Sequence, residues 1–148
     1  MKITRTLDVT MEELDAFIGQ MVIKDIKEAT NKTVTPEKIH PGYTYNKELT
    51  GRNGREGRVT TVIKELKPGL YHVTFKSKQG VNHLTYEYQP VSGDKVEVTY
   101  TEGFDSNGTV SKMNFGLMSF FYNHSSKKRI NQVLSNIEYL IHENRKTN

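Results

Sequence analysis

The chain is 148 residues long, is 34% apolar even with tyrosine counted, and carries a formal charge of +4 from 21 basic and 17 acidic side chains. Chains of that length bury roughly 70% of their extended surface around one core, not two. The absence of cysteine excludes disulfides, thiol nucleophiles and zinc ribbons, and the longest near-continuous apolar run, Met113 to Tyr122, falls short of the ~20 residues that span a bilayer.

The charge is spread along the chain. Residues 1–50 hold seven basic and eight acidic side chains, residues 51–100 eight and five, and residues 101–148 six and four. A dedicated nucleic-acid binder concentrates its excess on one face or arm. Only Arg52, Arg55 and Arg58, and the run Lys127 to Arg129, cluster here, so nucleic acid is not an expected partner. Met1 to Val9 alternates polar and apolar residues, which is no secretory signal. The expectation is a cytoplasmic single domain over residues 1–148 with its last few residues mobile.

The first nine residues read as a strand, with Ile3, Leu7 and Val9 on one face and Arg5 interrupting. Thr10 and Glu13 then form a capping box. Leu14, Phe17, Ile18 and Met21 recur at helical spacing, and Val22 and Ile26 continue a shifted stripe. Gly19 between them predicts a break into two short helices, ending near Asn31 before Pro36 and Pro41.

From Gly42 to Phe104 the period is two, with turn signals at Gly51 to Gly57, Lys67 to Gly69, Gln79-Gly80 and Ser92 to Asp94, dividing the stretch into five β segments. A Gln79-Gly80 loop predicts Tyr71 opposite Tyr88, Val73 opposite Tyr86 and Phe75 opposite Leu84. A Ser92 to Asp94 loop predicts Tyr86 opposite Tyr100 and Tyr88 opposite Val98. Both hairpins put the tyrosines on one inner face and polar residues on the other. In Met113 to Tyr122 the apolar residues lie all round a helical wheel, predicting a short buried helix or lid. Ile130, Val133, Leu134, Ile137, Leu140 and Ile141 form one stripe of an amphipathic helix over about Ser125 to Glu143.

This order predicts an α+β fold. A curved antiparallel sheet of about six or seven strands wraps on the long C-terminal helix, with two short helices after the first strand. A cavity is expected between sheet and C-terminal helix, because buried tyrosine hydroxyls demand partners that a dry core does not supply.

The segments Met1 to Val9, Gly42 to Tyr45, Val96 to Glu102 and Lys127 to Ile130 resemble a family of small bacterial proteins described as domain of unknown function 3284. The likeness covers nearly the whole chain. That family in turn is similar to the helix-grip superfamily of START-related (SRPBCC) lipid-transfer domains, polyketide cyclases and birch-pollen-type allergens. The resemblance implies a hydrophobic-ligand cavity and carries over no catalytic motif or cofactor.

Several constellations compete for function. The repeat Gly51-Arg52-Asn53-Gly54-Arg55-Glu56-Gly57-Arg58 offers an anion site, but no helix follows it and no Gly-Lys-Ser/Thr is present, so a solvated hairpin is the preferred reading. The histidines His40, His72, His83, His124 and His142 lack the close spacing of a metal site, and no metal is expected. Glu102 shares the inner face with Tyr86 and Tyr100 and is the one candidate for acid–base chemistry, although a solvated place at the rim is preferred. The leading expectation is noncatalytic binding of a small hydrophobic or amphipathic molecule by Phe75, Tyr86, Tyr88, Val98, Tyr100, Phe115, Met118 and Ile137, without cofactor. The alternatives are a cyclase- or hydratase-like enzyme using Glu102, and a regulatory module using the Arg loop and Lys127 to Arg129.

Overall fold

The computed structural model describes residues 1–50, 56–106 and 127–147. Its elements are β1 (Lys2–Leu7), α1 (Met11–Thr30), a 3-10 turn (Pro36–Lys38), β2 (Tyr43–Thr50), β3 (Glu56–Lys67), β4 (Leu70–Ser77), β5 (Gly80–Pro90), β6 (Val96–Ser106) and α2 (Lys127–Lys146). The six strands form one antiparallel sheet in the order β1-β6-β5-β4-β3-β2. The meander runs from β2 to β6, and β1 returns to pair with β6. The expected turn at Gly51 to Gly57 lies largely outside the described residues, and Met113 to Tyr122 and Ser125 lie wholly outside them.

Helix α1 starts where the capping box places it. Thr10 Oγ1 accepts from the Glu13 N–H at 3.1 Å, and Glu13 Oε1 accepts from the Thr10 N–H at 2.9 Å, satisfying two orphan donors of the first turn. It ends at Asn31, whose left-handed φ of 62° lets its N–H reach the Lys27 carbonyl at 2.8 Å. Between these ends the helix is continuous for 20 residues, correcting the two short helices expected. A glycine costs an exposed helix about 1 kcal/mol against alanine without breaking it. Tertiary contacts of Leu14, Ile18, Val22 and Ile26, all buried, outweigh that cost.

The β5–β6 register is the expected one, with Tyr86 opposite Tyr100 and Tyr88 opposite Val98. The β4–β5 register is displaced by two residues: the loop is Lys78-Gln79, so Tyr71 faces Tyr86, Val73 faces Leu84 and Phe75 faces Asn82. Gly80, with φ +151°, opens β5 instead of sitting in the loop. An even displacement keeps every side chain on its face, so the tyrosine-rich inner face survives the change.

The core fills one end of that face. Leu7, Val9, Leu14, Ile18, Val96, Val98, Ile130, Leu134, Ile137 and Ile141 are all buried there in one cluster. Polar contacts seat α2 on the β1–α1 corner. Arg145 Nε and NH2 donate to the two carboxylate oxygens of Glu13 at 2.6 and 2.7 Å, Glu138 Oε2 accepts from the Asp8 N–H at 2.6 Å, and His142 Nε2 donates to the Asp8 carbonyl at 2.7 Å. No helix among the described residues is long and apolar enough to cross a membrane.

Candidate functional site

The other end of the inner face is not filled. A cavity of about 320 Å³ lies between the C-terminal half of α1 and the sheet. Alternation along β4 and β5 supplies its floor, with Tyr71, Val73 and Phe75 from one strand and Leu84 and Tyr86 from the next. Helix α1 supplies the opposite wall through Met21, Val22, Lys24, Asp25 and Glu28, and β2 adds Lys47. The volume lies at the lower end of the range for small-molecule sites, and the mixture of aromatic wall and few polar groups is typical of them. The cavity was expected against the C-terminal helix. Among the described residues it lies against α1, because α2 is seated on the β1–α1 corner with Ile130, Leu134, Ile137 and Ile141 buried in the core. Leu140 of α2 is exposed and borders a separate hollow of about 500 Å³ between α1 and α2.

Charge is confined to the rim. Asp25 accepts from the Tyr45 hydroxyl at 2.5 Å and, through both oxygens, from Lys47 Nζ at 3.2 Å. The same ammonium stands 5.3 Å from the centre of the Phe75 ring, within cation–π range. Burial, and then the hydrogen bond to Asp25, raise the Tyr45 hydroxyl far above its ordinary range. On the floor Tyr71 and Tyr86 stack with centroids 6.1 Å apart, and Tyr86 meets Tyr100 edge-on at 5.1 Å. Burial, reinforced by the charge of Glu102, pushes Tyr86 up to about 12 and raises Tyr100 as well. These hydroxyls are therefore poor proton donors at neutral pH.

Three polar side chains flank the floor. Glu102 lies directly across from Leu84, and Asn82 and Thr61 lie on either side of Phe75. All three are buried. Glu102 is 9% exposed rather than solvated at a rim. Its Oε1 accepts from Asn82 Nδ2 at 3.3 Å, while Glu102 Oε2 and Thr61 Oγ1 have no hydrogen-bond partner. Unpartnered buried polar atoms are rare in folded proteins, and an ordered water is an ordinary partner for them.

Of the residues singled out in the sequence, Phe75 and Tyr86 line the cavity. Tyr88, Val98, Tyr100 and Ile137 share with Tyr86 the one buried cluster but do not line the cavity; Tyr88 donates to Asp15 of α1. Phe115, Met118, Arg52 and Arg55 lie outside the described residues. Arg58 stands on β3, 4.0 Å from Glu48 with both side chains largely exposed, a pair worth little. His72 faces Thr85, and His83 bonds to Asp105 at 2.9 Å on the outer face. Burial lowers the His72 pKa, with the neighbouring His83 adding to it. No cluster of three metal-ligating side chains occurs among the described residues. The sequence reading missed Met21, Asp25 and Lys47. The buried stripe Leu14, Ile18, Val22 and Ile26 fixes which side of α1 faces inward, and Met21 and Asp25 border that stripe one turn apart. Nothing in the pattern says which strands they overhang.

The fold is that of known helix-grip proteins. The structure of Ara h 8.0201 superposes with a TM-score of 0.61 at 12% identity, covering 97% of each chain. A START superfamily protein from Mycobacterium smegmatis gives 0.59 at 10% identity over 95% of this chain and 97% of its own. Norcoclaurine synthase from Thalictrum flavum gives 0.59 at 10% identity over 97% of this chain and 86% of its own. At such identities the likeness establishes architecture alone, and one architecture hosts many activities. No functionally curated protein matches the sequence. Residues 1–123 match the family model described as Domain of unknown function (DUF3284), and the chain belongs to that family.

Proposed function

We propose that this domain binds a small hydrophobic or amphipathic molecule in the cavity between α1 and the sheet, without transforming it. The observation that carries the reading is the hollow of about 320 Å³ floored by Tyr71, Val73, Phe75, Leu84 and Tyr86. Its apolar floor takes an apolar body, and its charged rim at Lys24, Asp25, Glu28 and Lys47 carries two charges of each sign, drawing in neither sign strongly. The helix-grip architecture shared with START-type proteins supports the same reading.

The enzyme reading has one observation in its favour, the buried Glu102 carboxylate with a free oxygen. Acid–base turnover also needs a matched second group. His72 and His83 stand on the outer face, and the tyrosines beside Glu102 hold their protons too tightly. Binding without turnover fits these neighbours better.

The test is titration with the neutral dye Nile red. The wild-type protein is expected to bind it with a blue-shifted, enhanced emission, and Leu84→Trp, which fills the cavity from its floor, to weaken binding at least about tenfold, or 1.4 kcal/mol. Equal binding by a folded Leu84→Trp protein would place the dye elsewhere and remove the proposal.

A further inference from the structure

We propose that Lys47, standing over the cavity floor, selects the head group of the bound molecule and takes a hydrogen-bond acceptor there, a carboxylate in the simplest case. This inference deepens the binding reading above and rests on it. Lys47 and Asp25 both line the cavity, and their side chains are 20% and 34% exposed, so both are open to a molecule lying in it. The ammonium stands 5.3 Å from the centre of the Phe75 ring, and Phe75 belongs to the floor. Asp25 approaches the same ammonium from α1, on the opposite wall. A head group resting on the floor therefore meets Lys47 first.

The bonding capacities of the two groups are unequally used. An ammonium has three donors and no acceptor, and an ionised carboxylate only accepts. Asp25 accepts from two partners, the Tyr45 hydroxyl and Lys47, and burial together with the Asp25 bond holds the Tyr45 proton in place. Among the described residues Lys47 has one hydrogen-bond partner, Asp25, whose two oxygens each lie 3.2 Å from Nζ. That is longer than the ~2.7–2.9 Å of a full charge-assisted bond. Two oxygens facing three N–H groups leave a donor over for an acceptor that arrives from the cavity. The negative charge of Asp25 is thus shared between two donors, while the positive charge of Lys47 meets one carboxylate and a ring face. A carboxylate head, with its chain along Phe75, Leu84 and Tyr86, completes the ammonium. An ammonium head competes with Lys47 for the same carboxylate and the same ring, at like-charge range. The rim's two charges of each sign cancel at a distance, Lys24 standing 4.0 Å from Glu28, so the discrimination is made at bonding distance, by Lys47.

The experiment is displacement of Nile red near neutral pH by n-octanoate, n-octanol and n-octylamine, which share one chain and differ in head group. Octanoate and octanol are expected to compete, with octylamine at least about tenfold weaker than octanoate. Lys47→Met keeps the apolar stem and strips Asp25 of its cation, so octanoate is expected to lose its advantage over octylamine there. Lys2→Met removes one exposed positive charge from β1, at the opposite edge of the sheet from β2, and is expected to keep the wild-type order. Octylamine binding as tightly as octanoate in the wild type, an unchanged preference in a folded Lys47→Met protein, or a preference lost equally in Lys2→Met would overturn the role of Lys47 and leave the cavity reading standing. Failure of Nile red and all three octyl compounds to bind would overturn the cavity reading itself. Should Lys47→Met not fold, nuclear Overhauser contacts in the wild type decide: the methylene beside the octanoate carboxylate is expected near the Lys47 ε-protons, and the terminal methyl in its place would overturn the assignment.

Discussion

Two aspartates on α1, Asp15 and Asp25, each accept a hydrogen bond from a buried tyrosine, and the space around them differs completely. Asp15 takes the Tyr88 hydroxyl and the Gly69 N–H, the latter at 3.1 Å. Gly69 has φ +83°, and a Cβ there would lie 3.0 Å from both Met11 Cε and the Tyr88 carbonyl. The backbone comes this close only because the residue is glycine, and Met11 of α1 packs directly against it. Asp25 takes the Tyr45 hydroxyl and Lys47, two long side chains from β2, with the Lys47 ammonium standing over the Phe75 ring of the floor. The region beneath is hollow. The same pairing closes the fold at one end of α1 and frames a cavity at the other, so the Asp–Tyr bond by itself says nothing about packing; the length of what stands opposite does.

Shaving the two ends tests this contrast most strongly. Ile18→Ala, at a fully buried position, is expected to cost about 2–5 kcal/mol in urea denaturation. Leu84→Ala, half-buried at the cavity, is expected to cost less than half as much, because space already exists beside it. Equal losses would mean that the open end is packed as tightly as the closed one.

Removing the two hydroxyls sharpens it further. Tyr88→Phe and Tyr45→Phe are each expected to cost about 1 kcal/mol, the net worth of a buried hydrogen bond. Only Tyr45→Phe is expected to change Nile red affinity, since only Asp25 borders the cavity. A shift in dye binding by Tyr88→Phe alone would reverse the assignment of the two ends.

The smallest effect concerns the corner that seats α2. Hydrogen bonding from Arg145 draws the Glu13 carboxyl from its ordinary 4.5 down to about 2. A carboxyl depressed in the folded state stabilises the fold above its unfolded pKa and ceases to do so as pH falls. Wild type is thus expected to lose more stability than Glu13→Gln between about pH 4.5 and 2, read from urea midpoints. Parallel midpoints for the two proteins across that window would remove the Arg145 contact as a source of stability.

Much of the fold was legible because local patterns and long-range packing agree. Thr10 and Glu13 mark the start of α1, and Ser92 to Asp94 fixes the β5–β6 register that puts Tyr86 against Tyr100. Where local chemistry was ambiguous, the reading slipped. Gly80 serves a strand start as well as a loop, and Gly19 invited a break that buried neighbours on α1 override. The candidate site was legible only in part: the period-two pattern identifies Phe75 and Tyr86 as inward-facing, but it does not separate a cavity wall from a core, and so Tyr88, Val98, Tyr100 and Ile137 stood beside them.

The amino-acid order alone determined which residues turn inward, since a strand's alternation and a helix's stripe are set by backbone geometry and solvent aversion within one element. Only the tertiary structure decided where those inward surfaces meet and where they stand apart. That depends on α2 being drawn to the β1–α1 corner by Glu13, Asp8 and Glu138, and on α1 running unbroken over β4 and β5. Contacts between distant elements, Asp25 with Lys47 at the hollow and Glu13 with Arg145 at the corner, leave no periodic trace in the chain, and the hollow between α1 and the sheet depends on them.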